Sequence, residues 1–246
     1  MSSLPDLASC KKVGFIVPSS NTAVEPITNA IFLAANANII CLFTRIRVTM
    51  VGIDKKNTSQ FSTHTIVEAA RLLADARPDA ILWNGTSGLW IGQGIDTDRA
   101  LAKAMRDATG IPCSTTTLAT CEALYLFKVQ RIGVAVPYTE ILMRKVQDFW
   151  KIAATVGIPP PESNIAIAKS ELSEIRNVIE SCVGQGCEAV IVACTNWPAA
   201  SLVEDIEESV GIPIIDSVIV TAWQGLKMAT YQGSIPRWGK LMGEFL

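Results

Sequence analysis

Two stretches decide the fold: Asp79-Ala-Ile-Leu-Trp-Asn-Gly-Thr-Ser87 and Glu188-Ala-Val-Ile-Val-Ala-Cys-Thr-Asn196. Each is an acidic residue, a short apolar run, then small polar residues. In this register Gly85 faces Cys194 and Thr86 faces Thr195. The repeat continues on either side. Lys12-Val-Gly-Phe-Ile-Val-Pro18 matches Arg131-Ile-Gly-Val-Ala-Val-Pro137, and Gly110-Ile-Pro112 matches Gly211-Ile-Pro213. The matched segments keep their order, and their offset drifts slowly, as differing loop lengths produce. A period of roughly 100 residues exceeds that of solenoid repeats. It predicts two similar α/β lobes.

Both halves alternate strand and helix signals. Val13–Val17, Ile39–Phe43, Ala80–Trp83, Ile132–Val136 and Ala189–Ala193 are short, near-continuous apolar runs. Such runs suit strands buried on both faces of a parallel sheet. Residues 62–76, 96–109, 170–183 and 199–210 space their apolar residues as helices do, for example Ile66, Ala69, Ala70 and Leu73. Gly110 and Gly211 stand where a glycine ends a helix, each followed by a proline that can open a strand. Alternation of this kind predicts parallel sheets flanked by helices. Sites in such sheets gather beyond the carboxyl ends of the strands. The polar clusters Pro18-Ser-Ser-Asn21, Gly85-Thr-Ser-Gly88, Pro137-Tyr-Thr139 and Cys194-Thr-Asn196 therefore belong at the site.

Composition narrows the function. The chain has 246 residues, enough for a sizeable core, and a net charge of −2 without a basic block. Nucleic acid and anionic membranes are poor partners for it. No run of about eighteen apolar residues could span a bilayer, and no signal peptide is evident. The first ten residues read as a loose lead-in. Seven cysteines at irregular positions suggest reduced, mostly buried thiols in a cytoplasmic protein. With one histidine and no Cys-x-x-Cys pair, a metal site is not expected. Phosphate-binding glycine loops are absent, and Gly92-Gln-Gly94 alone does not support a nucleotide cofactor.

Cys194 follows a strand and precedes a helix start, so it stands apart from the other six cysteines. A free thiol has a pKa of about 8.5 and is mostly protonated at neutral pH; it can give a proton to a carbanion. One thiol facing one glycine suggests protonation from a single face. Thr86 and Ser87 offer hydroxyls, and Gly85 and Gly88 make neighbouring backbone N–H groups accessible, to hold a carboxylate or an enediolate. Ser19, Ser20 and Asn21 offer similar donors after the first strand, or cap the helix that follows. Tyr138, at the mirror position of Ser19, could donate to a carboxylate or simply pack. Thr195 and Asn196 flank the thiol. Trp83, Trp90 and Trp197 could wall an apolar pocket or fill the core. His64 reads as a surface or capping residue, and without a partner histidine a Cys–His protease is not expected.

Gly14-Phe-Ile-Val-Pro-Ser-Ser-Asn-Thr22, Gly85-Thr-Ser87, Ala108-Thr-Gly-Ile-Pro112, Val136-Pro-Tyr138 and Ala193-Cys-Thr-Asn196 resemble the aspartate/glutamate racemase superfamily. Within it they are similar to the branch of maleate cis-trans isomerases and arylmalonate decarboxylases. The resemblance implies two Rossmann-like lobes related by a pseudo-twofold axis, with the site between them and no metal or organic cofactor. The lobes would be residues 11–115 with 217–246, and residues 116–216. Pro18-Ser-Ser-Asn21 is similar to the isomerases, whose asparagine binds a substrate carboxylate and which carry a cysteine in each half. Gly85-Thr-Ser87 is similar to the decarboxylases, whose Thr-Ser pair belongs to a dioxyanion hole and whose second-half cysteine donates the proton.

The leading expectation is cofactor-free decarboxylation of a malonate-type diacid, with Thr86, Ser87 and Tyr138 holding the enediolate and Cys194 protonating it. Gly85→Cys would then introduce racemisation. The rival enzymes are a cis-trans isomerase of a maleate-type diacid, favoured by Asn21, and a two-base racemase, which lacks its second thiol here. The non-enzyme rival is a small-diacid binding protein. The partner in every case is a small dicarboxylate, and the oligomeric state is left open.

Overall fold

Four of the apolar runs become strands covered on both faces, which leaves no position for a polar residue, while the fifth, Ile39–Phe43, lies half-buried in a strand at the sheet edge. The computed structural model describes residues 6–35, 38–52, 54–91, 94–150, 154–158 and 161–246; Gly92, Gln93 and the first five residues of the lead-in lie outside them. The first half runs β1 (Lys11–Pro18), α1 (Val24–Ala34), β2 (Ile39–Ile46), α2 (Lys55–Ser59), α3 (Thr63–Ala74), β3 (Ala80–Trp83), α4 (Ile95–Thr109), β4 (Cys113–Thr115) and α5 (Thr116–Phe127). The second runs β5 (Ile132–Val136), α6 (Glu140–Trp150), β6 (Ala154–Gly157), α7 (Asn164–Ile167), α8 (Leu172–Val183), β7 (Ala189–Val192), α9 (Val203–Val210), β8 (Ile214–Asp216), α10 (Ser217–Met228) and α11 (Gly239–Glu244).

Both sheets are parallel and four-stranded, ordered β2-β1-β3-β4 and β6-β5-β7-β8. The sequence repeat is therefore a repeat of topology. In each sheet the chain first moves outward from the central strand and then crosses to its other side. That switch opens a crevice beyond β1 and β3, and its twin beyond β5 and β7. Gly110 and Gly211 cap α4 and α9 in the left-handed conformation, with φ of 72° and 78°. Only glycine adopts it without strain. The chain then enters β4 and β8, three-residue strands too short to show a pattern in the sequence.

Helices α5 and α10 lack a polar stripe because they are packed at the junction of the halves. Nine of the twelve residues of α10 are buried. A Cβ on Gly225 would lie 2.9 Å from Val13 Cγ1 and 3.2 Å from Phe15 Cζ, so α10 rests directly on the first sheet. One apolar core runs through both sheets, including Phe15, Leu82, Val134, Ile191 and Trp223. A second cluster, with Ile16, Ile66, Leu73 and Met105, covers the other face of the first sheet. Among the described residues no helix is long and apolar enough to cross a membrane.

Candidate active site

The segments after β1, β3, β5 and β7 meet at one cavity of about 30 Å³, lined by Pro18, Asn21, Gly85, Thr86, Ser87, Tyr138, Cys194, Thr195 and Asn196. This is room for roughly two or three water molecules. Val48, Val51, Phe61, Trp83 and Trp90 supply its apolar walls, and Asn164 joins its polar end. Ser19 and Ser20 are set apart from the other expected donors. Ser19 Oγ accepts from Val48 N at 3.0 Å and Ser20 Oγ donates to Val48 O at 2.6 Å. These hydroxyls hold the loop after β2 instead of lining the cavity. Trp197 is fully buried in the core, and His64 is exposed on α3.

Asn21 both caps a helix and faces the cavity. Its Oδ1 accepts from Ala23 N at 3.0 Å and Val24 N at 2.9 Å, while its Nδ2 donates to Thr195 Oγ1 at 3.0 Å in the other half. Asn196 answers from the opposite side: its Oδ1 accepts from Thr22 N at 3.0 Å and its Nδ2 donates to Asn164 O. Asn164 Nδ2 in turn donates to Ser20 Oγ at 2.6 Å. The start of α1 is thus capped partly from the other half of the molecule. Arg45, ion-paired with Glu25 at 2.8 Å, donates to the carbonyls of Ser19 and Asn21 at 2.8 and 3.2 Å. Those carbonyl dipoles therefore point toward the guanidinium, which fixes the loop that carries Asn21.

At the other end, Thr86 Oγ1 and Tyr138 OH share a hydrogen bond of 3.2 Å. The backbone N–H groups of Thr86 and Ser87 have no acceptor among the described residues. The Gly85 N–H is already used by Thr116 Oγ1 at 3.1 Å. Trp83 stacks its indole over Gly85: a Cβ there would stand 2.4 Å from Trp83 Cζ2. Trp83 Nε1 donates to Ser87 Oγ at 3.2 Å, leaving the Ser87 proton free to serve a ligand. Phe61, Trp83, Trp90 and Tyr138 form a chain of edge contacts at 5.3–6.4 Å.

Cys194 is 4 % exposed. Burial pushes its thiol up to about 11, although the Tyr138 hydroxyl and the N–H groups of Asn196 and Trp197 favour the thiolate. Asp216 adds a further upward push through its charge. That carboxyl is itself raised by burial to about 7, although its Oδ1 caps α10 through Val218 N and Ile219 N. Tyr138 is held well above its ordinary value, chiefly by burial. The site therefore carries a neutral thiol and a neutral phenol at physiological pH. Among the described residues no cluster of three or more His, Cys, Asp or Glu could hold a metal ion. Asn164 was not singled out in the sequence, because Ser163-Asn164 reads only as an ordinary helix start.

A family model described as arylmalonate decarboxylase matches residues 13–242. The chain belongs to this family. It is 24 % identical over 243 residues to a maleate isomerase of Pseudomonas putida, covering 94 % of this chain and 96 % of the relative. It is 23 % identical over 189 residues to an arylmalonate decarboxylase of Bordetella bronchiseptica, covering 73 % and 78 %. The crystal structure of a maleate isomerase from Pseudomonas putida S16 superposes with a TM-score of 0.85 at 22 % identity, covering 96 % of this chain and 99 % of that one.

Proposed function

We propose that this member of the arylmalonate decarboxylase family is a cofactor-independent decarboxylase of a malonate-type diacid. The observation that carries the reading is the pairing of one thiol with a glycine that the Trp83 ring covers. The site has a single cysteine, Cys194, and the matching position has no space for another. Thr86, Ser87 and Tyr138, with the free N–H groups of the first two, would hold one carboxylate. The other would lie against Val48, Val51 and Trp90, where weak solvation favours its loss. The Cα–carboxylate bond breaks, carbon dioxide leaves, and the electron pair passes into an enediolate held by the same donors. Cys194 then gives its S–H proton to the α-carbon from one face. The thiolate left behind is held by the N–H groups of Asn196 and Trp197 and by Tyr138 until water returns a proton.

Proton NMR in D2O with methylmalonate and maleate tests this. Loss of carbon dioxide with one deuterium at the α-carbon supports decarboxylation; intact malonates overturn it. A second reading, cis-trans isomerisation of a maleate-type diacid, is favoured by Asn21 and Asn164 at the polar end, which could grip a second carboxylate. Conversion of maleate to fumarate would establish it. It asks Cys194 to attack as a thiolate, although burial keeps the thiol protonated near neutrality.

A further inference from the structure

We infer that Phe61 is the specificity-determining residue that limits this site to diacids bearing a small, methyl-sized substituent. Turnover as a readout rests on the decarboxylase reading above; ligand binding does not. The cavity at Cys194 holds about 30 Å³, and a second cavity of about 330 Å³ lies beside it. Both are lined by Phe61, Trp83 and Ser87, which therefore form the partition between them. A benzene ring is accommodated by an apolar void of about 150 Å³. The first cavity is below that size and must widen to admit the carboxylates of any diacid; a bulky substituent needs further room, which the second cavity supplies behind Phe61.

Two parts of the partition are tied down. Trp83 is fully buried, seated over Gly85 and bonded through Nε1 to Ser87 Oγ. Phe61 is different. It stands between α2 and α3, its backbone N–H is held by Thr58 O at 3.1 Å, and its ring makes edge contacts to Trp83 at 6.2 Å and Trp90 at 6.4 Å. Its side chain carries no polar anchor. Removing that ring joins the two voids while Trp83, Ser87 and the thiol keep their own supports. The second cavity has a polar rim that includes exposed Lys55, Ser59 and Ser62, so the joined space opens toward water.

The test compares the wild type with Phe61→Ala and Phe61→Leu, using methylmalonate and phenylmalonate. Each diacid is assayed for turnover by NMR and for binding by the rise it causes in melting temperature. The wild type is expected to be stabilised by methylmalonate and not by phenylmalonate, with kcat/KM for the aryl diacid at least 100-fold lower. Phe61→Ala should be stabilised by phenylmalonate and narrow that gap at least tenfold. Phe61→Leu should fall between, and a retained shift with methylmalonate shows that each variant is folded. Equal stabilisation of the wild type by both diacids overturns the inference, as does an unchanged preference in Phe61→Ala, or no stabilisation of any variant by either diacid. The predicted binding pattern without any loss of carbon dioxide would remove the decarboxylase reading and leave the role of Phe61 standing.

Discussion

Gly85→Ala puts a carbon 2.4 Å from Trp83 Cζ2 and 2.8 Å from Cε2. Comfortable carbon contacts lie at about 3.5–4.0 Å, so the ring must retreat by about 1 Å. It has little freedom to do so, being fully buried and bonded to Ser87. Overpacking a core in this way costs about 1–3 kcal/mol, and loosening the indole hydrogen bond adds about 0.5–1.5 kcal/mol. Together they destabilise the protein by about 1.5–4.5 kcal/mol, read as a lower urea midpoint at unchanged slope. At this chain length the melting temperature falls by about 2–4 °C per kcal/mol. Turnover drops too, because the displaced ring carries Ser87 with it. Gly85→Cys suffers the same overlap, so the racemisation expected from the sequence requires a smaller residue at position 83. Trp83→Phe combined with Gly85→Cys should exchange the product α-proton with D2O faster than Gly85→Cys alone. An alanine variant with wild-type midpoint and turnover would refute the claim that Trp83 closes this position.

Cys194→Ala should abolish turnover. In the wild type the rate should stay level through neutral pH and fall only as pH approaches about 11, because the thiol must be protonated to act as an acid; a rate climbing with pH toward that value would mark a thiolate nucleophile. Asp216 has a folded pKa raised from 3.8 to about 7, so the folded state binds its proton more tightly than the unfolded chain. Its stabilising contribution is present at low pH and is lost as pH rises through 7. Asp216→Asn keeps an acceptor for the α10 cap and removes an ionisation cost of about 2–4 kcal/mol above pH 7. Its melting temperature should exceed the wild type at pH 8–9, an advantage that shrinks as pH falls. Asn196→Ala deprives Thr22 N and Asn164 O of partners across the site and should cost about 1–3 kcal/mol in denaturant unfolding. Since Asn21 is bonded to neighbouring Thr195, this variant should also raise KM for diacids.

The architecture was legible because both signals that matter are local. Apolar runs such as Ala80–Trp83 and Ala189–Val192 report burial on two faces, and Gly110 and Gly211 report a left-handed cap. The duplication then supplied the symmetry. Strands β4 and β8 were marked only by the prolines before them, because three residues cannot display a period, and β6 stayed hidden because Ala154-Thr-Val-Gly157 is not a continuous apolar run. Helix α10 stayed hidden because burial nearly all round erases the polar stripe by which a surface helix is recognised; α5 stayed hidden because threonines make up much of its buried face and Tyr125 stands on its exposed one. At the site, residues within the strand-end clusters could be named because topology sends those clusters to one place. What lay beyond reach was the use of each donor. Ser19 and Ser20 look like Thr86 and Ser87 in sequence, yet their hydroxyls serve the backbone of Val48, a partner 28 or 29 residues away. Likewise the ring over Gly85 belongs to a residue two positions earlier, and nothing in the composition says where that indole lies.

The seat of α10 on the first sheet bears on how the chain is made. Residues 217–228 cover Val13, Phe15 and Leu82, strand residues made roughly 140 to 210 residues before their cover. At synthesis speeds of about 5–20 residues per second, that apolar face stays bare for roughly 7–40 seconds. The nascent chain is a natural client for holding chaperones during that interval. A truncation that removes only the last thirty residues would leave every site residue present and still strand the protein as an aggregating intermediate.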